Sequence, residues 1–447
     1  MSHFNRANAT IAYLVMVLLL GGASAAGLAG NALLQVSGAV LIGWTLWSQP
    51  WQEGAATGLR WFGLALAILV CVQFVPLPPA LWPSLPGRHA VARGFDLLGG
   101  ERPWLMYSLA PWTSLASVVS WVPALALFVA MRSKGAPPAS HAVLAVVGVA
   151  LVSVVIGAYQ ELLGSGYFYL VTNFGLGPGF FANSNHQGSF LLGALALWSG
   201  HVFASRPLSK RSAGWLARPL AQLAIGCVLA AGVLVSGSLA CYTLLVPALA
   251  GIFLISRPTL TPRWPALLGF ALLFALGFLI LQISGLADND LMAKSGSPGI
   301  SRQEFLVTGL GALRDFAPFG SGIGTFPNLY PWYENGDLVS ATFVNHAHDD
   351  LLEVLIETGV FGLAALALFL RWYVSRTLQL WQTDRNNTVP LGASLLIGVE
   401  LVHSLVDYPL RTAAMSSLMA LACVLLVRPN EAPGRTRAGE PNRPRTR

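Results

Sequence analysis

The seven residues Val344-Asn345-His346-Ala347-His348-Asp349-Asp350 set two imidazoles and two carboxylates directly ahead of an apolar run that starts at Leu351. Ionisable groups where a chain enters a membrane are costly to keep there, and they mark a place for chemistry on a lipid-borne substrate. His348 stands at, or one residue before, the start of a helix. The free N–H groups and positive dipole end of that helix disfavour imidazolium, which biases the ring towards the neutral form a general base needs. Asp349 and Asp350 act the other way, raising the ring's affinity for a proton, and one of them could orient it. The same residues also read as a capped and charged helix start. His346 and His348, with the aspartates, resemble part of a metal site, but all four cysteines lie in apolar runs and no third firm ligand is evident. No metal or other cofactor is expected.

Upstream, Arg302 is a fixed cation close to the membrane surface whose planar donors suit a diphosphate. An arginine facing lipid headgroups is the competing reading, and Arg314 and Lys294 are weaker versions of the same pattern. Between Arg302 and the histidines lie a glycine turn (Gly320, Gly322, Gly324) and the aromatics Phe326, Tyr330, Trp332 and Tyr333. No strand precedes those glycines, so they are not a dinucleotide fingerprint. Leu306, Leu310 and Leu313 recur at helical spacing and predict a helix lying on the membrane with one apolar face. Elsewhere, Asn185 and His186 lead straight into an apolar helix. Glu400 and His403 share one face of a later span, with Asp407 and Arg411 at its outer end. Glu357 sits in the preceding span beside Gly359 and Gly362. Buried charges of this kind either line a cavity or lock helices together.

The frame for these residues is set by composition. The 447-residue chain is 55% hydrophobic and only 10% charged. Apolar stretches of 17–25 residues recur without strand-like alternation, each long enough to cross a hydrocarbon core of roughly 30 Å. That pattern excludes a β-barrel and predicts an all-α integral membrane protein. About twelve spans are expected, near 9–27, 28–47, 61–80, 112–131, 142–161, 187–205, 220–237, 239–255, 265–285, 351–372, 388–406 and 412–428. Residues 1–428 then form one polytopic domain. A large, partly helical outer loop, 286–350, joins spans nine and ten and carries the site. Residues 429–447 form a disordered basic tail.

Of the 26 Lys and Arg residues, 19 fall on the side shared with the N-terminus and seven on the other. The positive-inside rule puts both ends in the cytoplasm and the 286–350 loop outside. The net charge of +7 sits mostly in short loops and the tail, so nucleic acid is not an expected partner. Cys71, Cys227, Cys241 and Cys423 are read as packing residues, and Trp82 and Trp104 as an interfacial belt.

The order and spacing of several motifs resemble the O-antigen ligase and polymerase superfamily, bacterial glycosyltransferases of surface polysaccharide. They are Phe-Ala-Asn-Ser-Asn-His (181–186), Arg302, Pro-Phe-Gly-Ser-Gly-Ile-Gly-Thr-Phe (318–326), Val-Asn-His-Ala-His-Asp-Asp-Leu-Leu-Glu (344–353), Glu-Thr-Gly-Val-Phe-Gly (357–362) and His-Ser-Leu-Val-Asp-Tyr-Pro-Leu (403–410). The resemblance covers roughly 160–428. It implies metal-independent glycan transfer from an undecaprenyl diphosphate donor to an acceptor hydroxyl at the periplasmic face of the bacterial inner membrane. His348 matches the histidine that activates the acceptor, and Arg302 the arginine that meets the diphosphate. Asn185, His186, Arg314, Tyr330, Tyr333, Asn345, His346, Asp349, Glu357, His403, Asp407 and Arg411 are the expected supporting residues. Its partners would be the lipid-linked glycan donor, a glycan or lipid-linked acceptor, and membrane lipids.

Two departures stand out. The turn 236–240, Ser-Gly-Ser-Leu-Ala, lacks the cation that the family often has there, and Asp349 stands where asparagine is common. The Tyr-Pro-Trp-Tyr-Glu loop and the 403–409 motif tilt the reading towards a polymerase over a lipid A-core ligase. A protein O-oligosaccharyltransferase of the same superfamily is an alternative. From another class, a secondary transporter would need paired, Gly/Pro-broken repeats, and none is evident.

Overall fold

A computed structural model describes residues 5–25, 27–48, 57–204, 218–257, 259–260, 302–338 and 344–428. Among these the chain is helical almost throughout. The helices, in order, are α1 (Arg6–Leu20), α2 (Ala29–Ser48), α3 (Thr57–Gln73), α4 (His89–Leu97), α5 (Pro111–Val119), α6 (Val122–Arg132), α7 (Ala139–Leu163) and α8 (Ser184–Ala204). There follow α9 (Pro219–Val235), α10 (Leu239–Ser256), α11 (Arg302–Phe316), α12 (Phe326–Tyr333), α13 (Asp350–Thr383), α14 (Thr388–His403) and α15 (Ala413–Val427). One two-stranded antiparallel pair joins β1 (Pro76–Leu77) to β2 (Leu105–Met106). Five helical stretches are long and apolar enough to cross a membrane: Ala29–Ser48, Pro111–Arg132, Ala139–Leu163, Leu239–Ser256 and Asp350–Thr383. Five more apolar helices are shorter. The expected span 265–285, the loop stretch 286–301 and the tail 429–447 lie outside the described residues.

The bundle is organised around α8, whose residues from Ser184 to Gly200 are all buried. Its closest partner is α14, and small residues set the spacing. A Cβ on Gly392 would meet the Ala196 carbonyl oxygen at 2.4 Å, and one on Gly200 the Thr388 carbonyl oxygen at 2.6 Å. Backbones that close gain van der Waals contact without a hydrophobic driving force from water. Thr388 Oγ1 adds a hydrogen bond to the Gly200 carbonyl at 2.6 Å.

Three expected spans differ in detail. The first helix stops at Leu20, and the chain runs on without helix through Gly21 and Gly22, where Cβ atoms would strike the backbones of residues 414 and 180. The fourth expected span is divided between α5 and α6 at Ser120–Trp121. The tenth lies within α13, which is broken at Gly359, whose φ of 57° and ψ of −142° are non-helical. That conformation belongs to glycine, and a Cβ there would lie 2.0 Å from the Pro318 carbonyl oxygen. Residues 350–358 thus form a short helix of their own, ahead of the longer stretch that ends at Thr383.

This short helix belongs to a second, smaller core. Phe305, Ala312 and Phe316 of α11 pack with Phe326, Leu329 and Tyr330 of α12 and with Ala347, Leu352 and Ile356. On α11 the packed face is therefore Phe305, Thr308, Ala312 and Phe316, while Leu306 and Leu310 point away from it, exposed. The glycine turn is stitched to the Gly359 break by backbone hydrogen bonds: Ser321 N–H to Ile356 O, Gly322 N–H to Glu357 O and Val360 N–H to Pro318 O, at 2.8–3.0 Å. The segment after α3 grips the other side of that turn. Leu109 N–H donates to Ser321 O, Tyr107 Oη to Phe319 O, Ser114 Oγ to Ile323 O, and Ile323 N–H to Gln73 Oε1. Trp82, expected in an interfacial belt, is instead fully buried, and its indole N–H donates to Pro103 O. Trp104 is exposed.

Candidate active site

Two short stretches far apart in sequence, 345–353 and 403–411, meet above the first turn of α8. His348 is the only described non-glycine residue with positive φ, at 53°. Such a backbone persists only where its surroundings hold it. The ring stacks on Phe305 with centroids 4.8 Å apart and planes 6° from parallel. Its Nδ1 faces Asp407 Oδ1 at 3.7 Å, and its edge meets the Tyr408 ring at 4.8 Å. Tyr408 is a hub: His186 meets the same ring at 5.0 Å and His346 at 4.6 Å.

Asp407 is fully buried beneath this hub. One carboxylate oxygen accepts from Asn185 Nδ2 at 2.6 Å, and the other from the Tyr408 N–H at 2.8 Å. His186 Nε2 lies 3.6 Å from Oδ1. Burial pushes the Asp407 carboxyl up, but the facing His186, with His348 and His403, outweighs it and holds the group well below the usual carboxylate range. Burial, reinforced by Asp407, pushes the Tyr408 phenol up, so it stays protonated. One turn deeper, Ser189 Oγ donates to Glu400 Oε1 at 2.8 Å and meets His403 Nδ1 at 3.0 Å, bridging the two span residues.

Arg411 forms a second cluster. Its guanidinium lies 3.1 Å from Asp350, 3.4 Å from Glu353 and 3.6 Å from Glu357. These carboxylates are three and four residues apart, so they share one face of the short helix. Burial opposes the Arg411 charge, and the three carboxylates outweigh burial and raise its pKa. Glu357 Oε1 also accepts the Phe326 N–H at 3.2 Å, tying α12 to the cluster. Glu353 reaches the other way, with Oε1 3.0 Å from His346 Nδ1 and Oε2 accepting the Ala347 N–H at 2.9 Å.

The remaining expected residues fall into place around these clusters. Asp349 is the N-cap of α13, accepting from Leu352 N–H at 3.0 Å, and burial raises its carboxyl. The carboxylate that faces His348 is therefore Asp407, not an adjacent aspartate. Asn345 Nδ2 donates to Ser24 Oγ at 3.2 Å, tying the histidine loop to the segment after α1. Arg302 opens α11 three residues before Phe305, a rise of about 4.5 Å. Tyr330 is buried behind Phe305, ring to ring at 6.0 Å, and burial lifts its phenol to about 12. Arg314 and Tyr333 are not brought to the histidines. Arg314 is exposed on α11, about 14 Å along the axis from Phe305. Tyr333 donates to Asp315 at 2.8 Å. The cation-free turn at 236–240 does border the site: Ser238 caps α10, and Cys241 Sγ lies 3.4 Å from Asn185 O.

Sequence reading passed over Phe305, Glu353, Tyr408 and Ser189. Two of them left a trace: Asp350, Glu353 and Glu357 repeat on one helix face and demand a cation, and Tyr408 adjoins Asp407 in the 403–410 motif. Among the described residues, no three His, Cys, Asp or Glu side chains are grouped to hold a metal ion.

No curated protein matches the chain. Residues 220–367, which run from α9 past the Gly359 break and include Arg302, His346, His348 and the three carboxylates, match the family model described as O-antigen ligase, in keeping with the resemblance drawn from the motifs.

Proposed function

We propose that the protein transfers a glycan from an undecaprenyl diphosphate donor to an acceptor sugar hydroxyl at the periplasmic face of the bacterial inner membrane, polymerising or ligating surface polysaccharide. The observation that carries this reading is the seat of His348, between the Phe305 ring, the Asp407 carboxylate and the Tyr408 edge, with Arg302 one turn from Phe305. His348 takes the proton of the acceptor hydroxyl as that oxygen attacks the anomeric carbon. The bond from that carbon to the diphosphate oxygen breaks, and the electron pair leaves on the diphosphate. Attack from the face opposite the leaving group inverts the anomeric centre. The Asp407 carboxylate steadies the imidazolium that forms, and Arg302 answers the charge growing on the diphosphate. Positioning and electrostatics supply most of the rate, and the scheme uses no metal or cofactor.

Arg411 is a poor candidate for the cation absent at 236–240, because three carboxylates already surround it. His348→Ala is expected to lower transfer by about 10²–10⁴-fold, the range for a lost general base, with the protein still inserted in the membrane. Undiminished glycan product from that variant would overturn the assignment. Surface glycans of a deletion strain separate the two outcomes within the superfamily. Single-repeat material identifies a polymerase, and full-length chains held on the lipid carrier identify a ligase.

A further inference from the structure

We propose that Glu353 is a positioning residue for the reaction, fixing the backbone that presents His348 through His346 and the Ala347 N–H. This rests on the assignment of His348 as the base. Glu353 is 1% exposed, yet both its oxygens are engaged with the two residues that precede His348. Arg411 Nη1, 3.4 Å away, holds the carboxylate from the other side. The helix that carries Glu353 is itself anchored: Asp349 caps it, and the Asp350 N–H donates to Ser404 O at 2.9 Å. The carboxylate therefore reaches back from a fixed element to a loop held in an unfavourable conformation. Without it, the 346–347 stretch loses both its contacts to the helix and keeps only the packing of Ala347 and His346, which resists relaxation of the positive φ at His348 less well. His346 packs on the same Tyr408 ring as His348, so releasing one imidazole also loosens the wall against which the other rests.

The test compares Glu353→Ala, Glu353→Gln and His348→Ala in the purified full-length chain, using undecaprenyl-diphosphate-linked oligosaccharide from the native host as donor. A misplaced reacting group costs on the order of 10²-fold, so Glu353→Ala is expected to lose about 10–100-fold in kcat with donor KM changed less than about twofold. Glu353→Gln should recover a large part of the loss, because its amide oxygen still accepts the Ala347 N–H. Wild-type kcat in Glu353→Ala, beside an inactive His348→Ala, overturns the positioning role and leaves the base intact. An active His348→Ala overturns the base itself. Should Glu353→Ala fail to fold, Glu353→Gln carries the test: a raised donor KM at unchanged kcat would make Glu353 a donor-binding group and overturn the proposal.

Discussion

The Arg411 cluster and the Tyr408 cluster share the same two chain segments and are built to opposite rules. Around Arg411, each of three carboxylates has the guanidinium within 4 Å, and two of them also bond to the neighbouring α12 and histidine loop. Around Tyr408, three imidazoles crowd one phenol ring, and the shared carboxylate stands 3.6–3.7 Å from two of them, beyond hydrogen-bond reach. Neither ring nitrogen of His186 has a hydrogen-bond partner among the described residues, although the ring is 2% exposed. A cation shared by three carboxylates holds two chain segments together. Under the proposed function, the unpartnered nitrogens of His186 are where a substrate's own hydroxyls or phosphates would complete the network. Glu353 belongs to both clusters and joins the fixed one to the reactive one.

The contrast is sharpest at Asp407. Asp407→Asn keeps the shape and removes the charge facing two imidazoles; transfer is expected to fall on the order of 10²-fold or more, as when the carboxylate behind a catalytic histidine is neutralised. Membrane glycan assays normalised to protein amount measure it, and near-normal rates would move Asp407 into the structural class. Because its carboxyl titrates below the usual range, the stability it contributes is complete above about pH 4 and is lost only as pH falls further.

Arg411→Met should act on folding instead. Three buried carboxylates would lose their counter-charge, a change that costs about 3–5 kcal/mol when one partner of a buried pair is removed. Thermal unfolding in detergent reads the loss, and a stable but inactive variant would instead place Arg411 among the substrate-binding groups. Arg314→Ala, at an exposed position along α11, should leave transfer within about twofold of wild type. A large loss would extend the reactive cluster along that helix.

The membrane class, the helical character and most of the chemistry-bearing residues were legible because apolar runs and misplaced charges are local signals. His186, His348, Asp407 and Arg411 each stood out as polar groups at the edge of a span. Their pairing was not legible. The neighbouring Asp349 looked able to orient His348, but the helix start claims it as a cap, and the carboxylate that faces the ring arrives from 59 positions downstream. The break at Gly359 was hidden for a similar reason. Hydropathy runs on through Leu351–Leu370, and only the Pro318 carbonyl pressing on residue 359 shows why the helix must turn there.

That break divides the longest helix of the chain into two unequal lengths. Unbroken, the 34 residues of α13 would rise about 51 Å, far more than the roughly 30 Å of a hydrocarbon core. Beneath Gly359, the stretch ending at Thr383 rises about 36 Å, a fair match once modestly tilted. The nine residues on the other side of the break, 350–358, carry the three carboxylates that surround Arg411.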